Sequence, residues 1–149
     1  MGWVDALRGT LVGIDTAPLI YYIETNPAYI QIVDPFFDAL DLGELRVVTS
    51  FVTLVEVLVV PLRNSDTAVA DHYRRVLLQS PGLVTLPVDA TIAEEAARLR
   101  AAHNLRTPDA IQMATALVSG AQRFLTNDTR LPSLPNLQVL TLDSLKSAP

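Results

Sequence analysis

The sequence predicts an α/β fold, with helices covering both faces of a parallel sheet of four to five strands. One observation carries this. Short apolar runs of strand length alternate with stretches of helical period along the whole chain, and such alternation builds crossover units around a sheet buried on both sides. The 149 residues fit one domain, 1–149, long enough to enclose a full core. No internal repeat, linker or low-complexity tract divides it.

Residues 10–15, Thr-Leu-Val-Gly-Ile-Asp, read as the first strand. Pro18 opens a helix to about Glu24, because proline suits a first turn whose N–H groups have no partner. A second helix runs from about 28 to 42, and Pro35 is expected to kink or split it. Gly43-Glu44 turns into a second strand, Leu45–Thr49. Ser50 is placed to cap a helix ending at Val60, with Pro61 stopping it. Ser65 and Asp66 open a helix to Leu78, Ser80-Pro81-Gly82 turns, and Leu83–Val88 is the third strand. Asp89 begins a helix with Ile92, Ala96 and Leu99 on one face, and Thr91-Ile92-Ala93-Glu94 matches a capping box. Pro108 opens the next helix, whose apolar face is Ala110, Ile111, Ala114, Leu117 and Val118; Gly120 ends it. Phe124–Thr126 and Gln138–Leu142 are the fourth and fifth strands, and Lys146–Pro149 are expected to be disordered.

Composition narrows the function. Half the residues are hydrophobic and the mean hydropathy is +0.31, yet Thr53, Glu56 and Pro61 break the longest apolar stretch short of the ~20 residues that span a membrane. The amino-terminal segment lacks the basic start and apolar stretch of a signal peptide, so the cytoplasm is the expected location. Cysteine is absent, which excludes disulfides, thiolate catalysis and thiolate metal sites. The net charge of −5 argues against a broad basic surface for nucleic acid, though bound metal can reverse the local sign. Ten arginines stand against one lysine, Lys146. The high apolar fraction predicts an exposed hydrophobic surface for partners, with the helices over Ala28–Leu42 and Asp66–Gln79 as candidates.

Four carboxylates sit where folding alone hardly calls for them. Glu56 is the only charge between Arg46 and Arg63, Asp15 the only one between Arg8 and Glu24, and Asp109 the only one between Arg106 and Arg123. Asp128 follows the apolar strand Arg123–Thr126. With few cations nearby, a carboxylate in apolar surroundings needs a metal or another partner. Asp15 and Asp128 lie at carboxyl ends of strands, where ligands of open α/β sheets bind. Oxygen-only ligands suit Mg²⁺ or Mn²⁺, ions that serve phosphoryl displacement. Plainer readings stand beside this one: Asp15 as a cap for the Pro18 helix, Asp109 as a helix N-terminal acid, Asp128 as a turn residue and Glu56 on a solvated face.

The blocks Val12-Gly-Ile-Asp15-Thr16 with Leu19-Ile20, Val55-Glu56-Val57, Leu105-Arg-Thr-Pro-Asp109-Ala-Ile111 with Ala114-Thr-Ala116, and Phe124-Leu-Thr126-Asn-Asp128 together resemble a PIN domain. Among these the chain is most similar to the VapC-type toxin ribonucleases. The resemblance implies a PIN-like three-layer α/β/α sandwich and metal-dependent endonucleolytic cleavage of RNA. It makes Asp15, Glu56, Asp109 and Asp128 the catalytic and metal-binding quartet, with Thr16 and Thr126 supporting them and Mg²⁺ or Mn²⁺ as cofactor. It also implies a homodimer, a small antitoxin partner and no membrane. The alternative is a catalytically inactive PIN-fold module that binds RNA or protein.

Other chemistries fit less well. A phosphatase of the haloacid dehalogenase type needs a second aspartate two residues after Asp15, where Ala17 stands, and a catalytic lysine; a response-regulator receiver lacks the same lysine. No phosphate-binding Gly-Lys-Ser/Thr loop or dinucleotide glycine pattern is present.

Overall fold

The computed structural model describes residues 2–146. A 3-10 helix, Trp3–Leu7, precedes the first strand. The sheet strands are β1 (Leu11–Ile14), β2 (Arg46–Ser50), β3 (Leu83–Leu86), β4 (Arg123–Thr126) and β5 (Gln138–Thr141). The helices are α1 (Thr16–Ile23), α2 (Ile30–Asp41), α3 (Phe51–Arg63), α4 (Thr67–Gln79), α5 (Ala90–His103), α6 (Thr107–Val118) and α7 (Leu142–Leu145). All strand pairs are parallel, in the order β3-β2-β1-β4-β5.

Alternate residues of each central strand feed two cores. Val12, Ile14, Val47 and Leu125 point to the side covered by α1 to α4, where Phe36, Phe37, Val57, Tyr73 and Leu77 are buried. Val48 and Phe124 point to the other side, filled by Ala96, Leu99, Ala110, Met113, Ala114 and Ala116 of α5 and α6. The predicted α/β/α sandwich is therefore the observed one. Where α6 meets the sheet the second core carries alanines, and Gly13 shows why. A Cβ there would stand 2.5 Å from Cβ of Ala116 and 3.1 Å from Phe124, so α6 lies against bare backbone.

Several boundaries differ from expectation, each for a local reason. Helix α1 starts at Thr16, before Pro18, because Asp15 is its cap. Helix α2 starts at Ile30 and continues through Pro35 as a single helix. Helix α3 passes Pro61 and ends at Arg63; Pro61 removes only one bond of the last turn, and its ring is buried. Asp89, whose carboxylate accepts from the Ile92 amide at 2.9 Å, caps α5 in place of the Thr91 capping box. The third strand stops at Leu86, and Leu142 leaves the sheet to open α7. The 3-10 helix escaped notice; it plugs the first core with Val4 and Leu7. The disorder expected for the tail lies outside the described residues from 147 onward, while Lys146 places its ammonium 4.1 Å from the centre of the Tyr29 ring.

The exposed apolar surface lies elsewhere than expected. Phe51, Val55, Val59, Val60 and Leu62 of α3 all face solvent, with Val55 65% exposed. Helices α2 and α4, the expected candidates, bury their apolar faces and leave out only Leu78 and the flanking Leu42. Among the described residues no helix is long and apolar enough to cross a membrane.

Candidate active site

The chain winds from β1 outward through β2 to β3, then returns to place β4 on the other side of β1. That reversal opens a crevice beyond the carboxyl ends of β1 and β4. Asp15 is the first residue past β1, and its amide extends the ladder to the Leu125 carbonyl at 2.9 Å. Its carboxylate, only 9% exposed, is held on both oxygens. Oδ1 accepts from the Thr16 amide at 2.7 Å, and Oδ2 from the Thr126 hydroxyl at 2.6 Å. Thr126, the last residue of β4, also accepts from the Asp128 amide at 3.0 Å. One buried hydroxyl thus ties the two strand-end acids together.

Glu56 reaches the same crevice from α3. The residue is exposed along its stem, but Oε1 accepts from the Thr16 hydroxyl at 2.7 Å and from the Gln112 amide at 3.1 Å. Gln112 is buried in α6. Its Nε2 faces the hydroxyls of Thr16 at 2.8 Å and Thr53 at 2.9 Å as well, while its Oε1 has no partner. Thr53 continues the chain to Thr49 at 2.7 Å, and Thr49 bonds to the Ile14 carbonyl at 3.2 Å. These polar groups form a connected floor from β1 to α3 and α6.

Asp109, 7% exposed, lies in the first turn of α6 and accepts from Arg106 Nε at 3.1 Å. Asp128 is gripped side-on by Arg130, Nε to Oδ1 at 3.0 Å and Nη2 to Oδ2 at 2.9 Å, and Oδ1 also accepts from the Arg130 amide at 2.9 Å. All four acids, with Thr16, Arg106 and Arg130, line one cleft of ≈ 460 Å³.

Two environments result. Burial pushes the Asp15 carboxyl above its usual value; the Thr126 and Thr16 hydrogen bonds counter this, and the charges of Asp109 and Glu56 add to the rise. Arg130 holds Asp128 below the usual range in spite of its partial burial. Among the described residues no three acidic or imidazole side chains stand close enough, as they are turned, to grip an ion. Asp109 and Asp128 each face a guanidinium. The expectation of few nearby cations is overturned here, since Arg106 and Arg130 lie three and two residues from the acids they pair with. The cap and turn readings also hold in part, because Asp15 caps α1 and Asp128 closes its own turn.

Gln112 escaped the sequence reading. Its signal was spacing: it follows Asp109 by three residues on a helix, which places both on one face, and it is the one amide in an otherwise small and apolar stretch. Thr53 stands three residues before Glu56, on one face of α3 with it.

The model of the PIN domain family matches residues 12–137. No curated protein matches the sequence. Among solved structures, VapBC2 of Rickettsia felis bound to a promoter DNA fragment aligns with a TM-score of 0.67 at 15% identity, covering 88% of this chain and 98% of that one. A toxin–antitoxin complex of Klebsiella pneumoniae gives 0.64 at 21%, covering 90% and 98%. VapC20 of Mycobacterium tuberculosis, a toxin cleaving the sarcin–ricin loop, gives 0.63 at 18%, covering 77% and 87%.

Proposed function

This chain belongs to the PIN domain family, and from that premise we propose that it is a metal-dependent endoribonuclease, the toxin of a toxin–antitoxin pair. One observation carries the proposal: four acids from segments as far apart as residues 15 and 128 line a single cleft at the switch point of the sheet. A protein that only folds has little use for such a convergence, because burial and like charge oppose the ionisation of Asp15. Its structural relatives are toxins or toxin–antitoxin complexes, which supports the same reading.

The donor set fits Mg²⁺ or Mn²⁺: hard carboxylate oxygens with no imidazole or thiolate among the cleft residues. Asp15, Glu56, Asp109 and Asp128 would hold the ion. When bound, a divalent cation supplies an activated water and charge stabilisation for in-line displacement at phosphorus. The chain's own residues do the positioning. Thr126 and the Thr16 amide fix both oxygens of Asp15. Gln112 and the Thr16 hydroxyl turn Glu56 inward, against its tendency to extend into solvent. Burial of Asp15 and Asp109 limits water around the acids and strengthens their attraction for a cation.

Self-association and capture by a small antitoxin both need an apolar surface, and the outward face of α3 supplies it. The test of the catalytic reading is cleavage of structured and unstructured RNA by the purified protein, in chelator and with Mg²⁺ or Mn²⁺. Cleavage that needs metal and is lost in Asp15→Asn is the expected result. Binding of RNA without cleavage under every metal condition would favour the inactive binding module instead.

A further inference from the structure

We propose that Arg130, with Arg106 in the same cleft, exchanges partners during turnover: each guanidinium is counter-ion to a cleft carboxylate before the metal binds, and ligand to the RNA backbone phosphates afterwards. This rests on the reading of the cleft as a metal-dependent ribonuclease site.

Four observations lead there. Arg130 occupies both oxygens of Asp128, through Nε and Nη2. A carboxylate gripped side-on in this way has most of its accepting capacity taken, so an ion at Asp128 competes with Arg130 for it. Arg106 holds one oxygen of Asp109. Among the described residues neither guanidinium has another hydrogen-bond or ion-pair partner, and their side chains are 76% and 68% exposed. Their carboxylates, in contrast, sit 18% and 10% exposed. When a cation arrives, the mobile partner is therefore the arginine.

The released guanidiniums do not travel far. Both line the same cleft as the four acids. A planar fork that fits a carboxylate also fits a phosphodiester. The chain is acidic overall, with net charge −5, so a local source of positive charge at the mouth of the site answers the question of how an acidic protein holds RNA. Displacement by metal would expose that charge only when the site is loaded, which couples substrate binding to cofactor binding.

The test uses the full-length protein and two probes. Mn²⁺ binding is titrated by electron paramagnetic resonance of the free ion. Binding of a short mixed-sequence single-stranded RNA is followed by fluorescence anisotropy over a range of salt, in chelator and with Ca²⁺. Arg130→Gln should bind Mn²⁺ more tightly than wild type, by roughly two- to fivefold, the scale of an exposed ion pair. It should bind RNA more weakly in Ca²⁺, with a salt slope smaller by about 0.7, one phosphate contact on a single strand. Arg130→Lys, which keeps the charge but loses the fork, should recover the salt slope. Arg106→Gln should show the same pattern with a smaller gain in Mn²⁺ affinity, since only one oxygen of Asp109 is held. Unchanged or weaker Mn²⁺ binding in Arg130→Gln overturns the exchange, as does unchanged RNA binding. A wild type that binds no Mn²⁺ ends the site reading and the exchange together, whereas a wild type that binds Mn²⁺ and cleaves RNA, beside a silent Arg130→Gln, ends the exchange alone.

Discussion

Asp15 and Asp128 line one cleft and share the Thr126 hydroxyl, yet they are held in opposite ways. Asp15 is buried and receives only neutral donors, a backbone amide and a hydroxyl. Those donors orient the carboxylate without cancelling its charge, and its ionisation is disfavoured. Asp128 is half-buried and receives a guanidinium, which cancels its charge and favours ionisation. The difference separates two tasks. A neutral cradle keeps a carboxylate unsatisfied and in place for a cation. A charged partner keeps it comfortable until something displaces that partner.

The largest test of this contrast is the pair Asp15→Asn and Asp128→Asn. Both should lose ribonuclease activity, Asp15→Asn by at least about 10²-fold, beyond the roughly 10–100-fold that outer-sphere partners of metal ligands give. Their stabilities should diverge. In chelator Asp15→Asn should melt at or above wild type, because a buried charge is gone and the amide can still bond to Thr126. Asp128→Asn should melt slightly below, because Arg130 loses its partner. Excess Mg²⁺ or Mn²⁺ should stabilise wild type by about 2.7 kcal/mol at a hundredfold excess over Kd, and Asp15→Asn much less. A clear drop in the chelator melting temperature of Asp15→Asn, with an unchanged metal response, would make Asp15 a helix cap and nothing more.

Gln112→Ala addresses the floor beneath both acids. It removes the amide shared by Thr16, Thr53 and Glu56, so activity should fall by about 10–100-fold and Mn²⁺ affinity with it. Stability should fall less than for an ordinary buried amide, because Oε1 already lacks a partner. Equal Mn²⁺ affinity in the variant would mean that Glu56 is oriented without Gln112.

Thr126→Val is the next step down. The variant keeps the volume and loses the hydroxyl between the two acids, which should cost about 1 kcal/mol of stability, within the ordinary range for a buried hydrogen bond. The Asp15 carboxyl should titrate still higher, since the bond that lowers it is gone, and carbon-detected NMR of the side chain would follow this directly.

The smallest effect is in the pH dependence of the chelated protein. The raised carboxyl of Asp15 means that its contribution is fully present below the unfolded value near 3.8 and is lost as pH rises through the higher folded value. Asp128 runs the other way: its contribution is present above 3.8 and is lost as pH falls through its depressed folded value. Mild acidification should therefore stabilise wild type relative to Asp15→Asn, and stronger acid should erase the advantage of Asp128 over its asparagine variant. Parallel melting curves at every pH would remove the contrast between the two acids.

The sequence displayed the sheet and singled out acids that line the cleft, because both rest on local signals. Alternation and strand length place β1, β2 and β4 to within a residue or two, and isolated charges in apolar runs single out Asp15, Glu56 and Asp109. The partners of those acids were harder to see, for a physical reason. A hydrogen bond between Gln112 and Thr53 joins residues 59 apart in sequence, and no pattern along the chain records it. Arg106 and Arg130 were in plain view, but an arginine near an aspartate in sequence can point anywhere on a flexible stem. Pro35 and Pro61 lie inside helices: Pro61 has its ring buried, and beside the exposed Pro35 the buried Val33, Phe36 and Phe37 hold α2 together at the cost of one hydrogen bond. The exposed face of α3 was missed because an apolar run around one acid reads equally well as core.

Gly13 contributes no atom to the cleft, yet it sets a tolerance for it. Helix α6 touches the sheet at Ala116, two turns along from Asp109, a lever of about 10 Å at 1.5 Å per residue. A methyl group at Gly13 would act as a shim under the far end of that lever. The contact at 2.5 Å could be relieved only by lifting the helix, and the end bearing Asp109 and Gln112 would tilt while Asp15, fixed to β1 and β4, stayed behind. The spacing between the acid on the sheet and the acid on the helix is thus gauged by a missing carbon. Alanine at this position should loosen the site through alignment, with every cleft residue still in place.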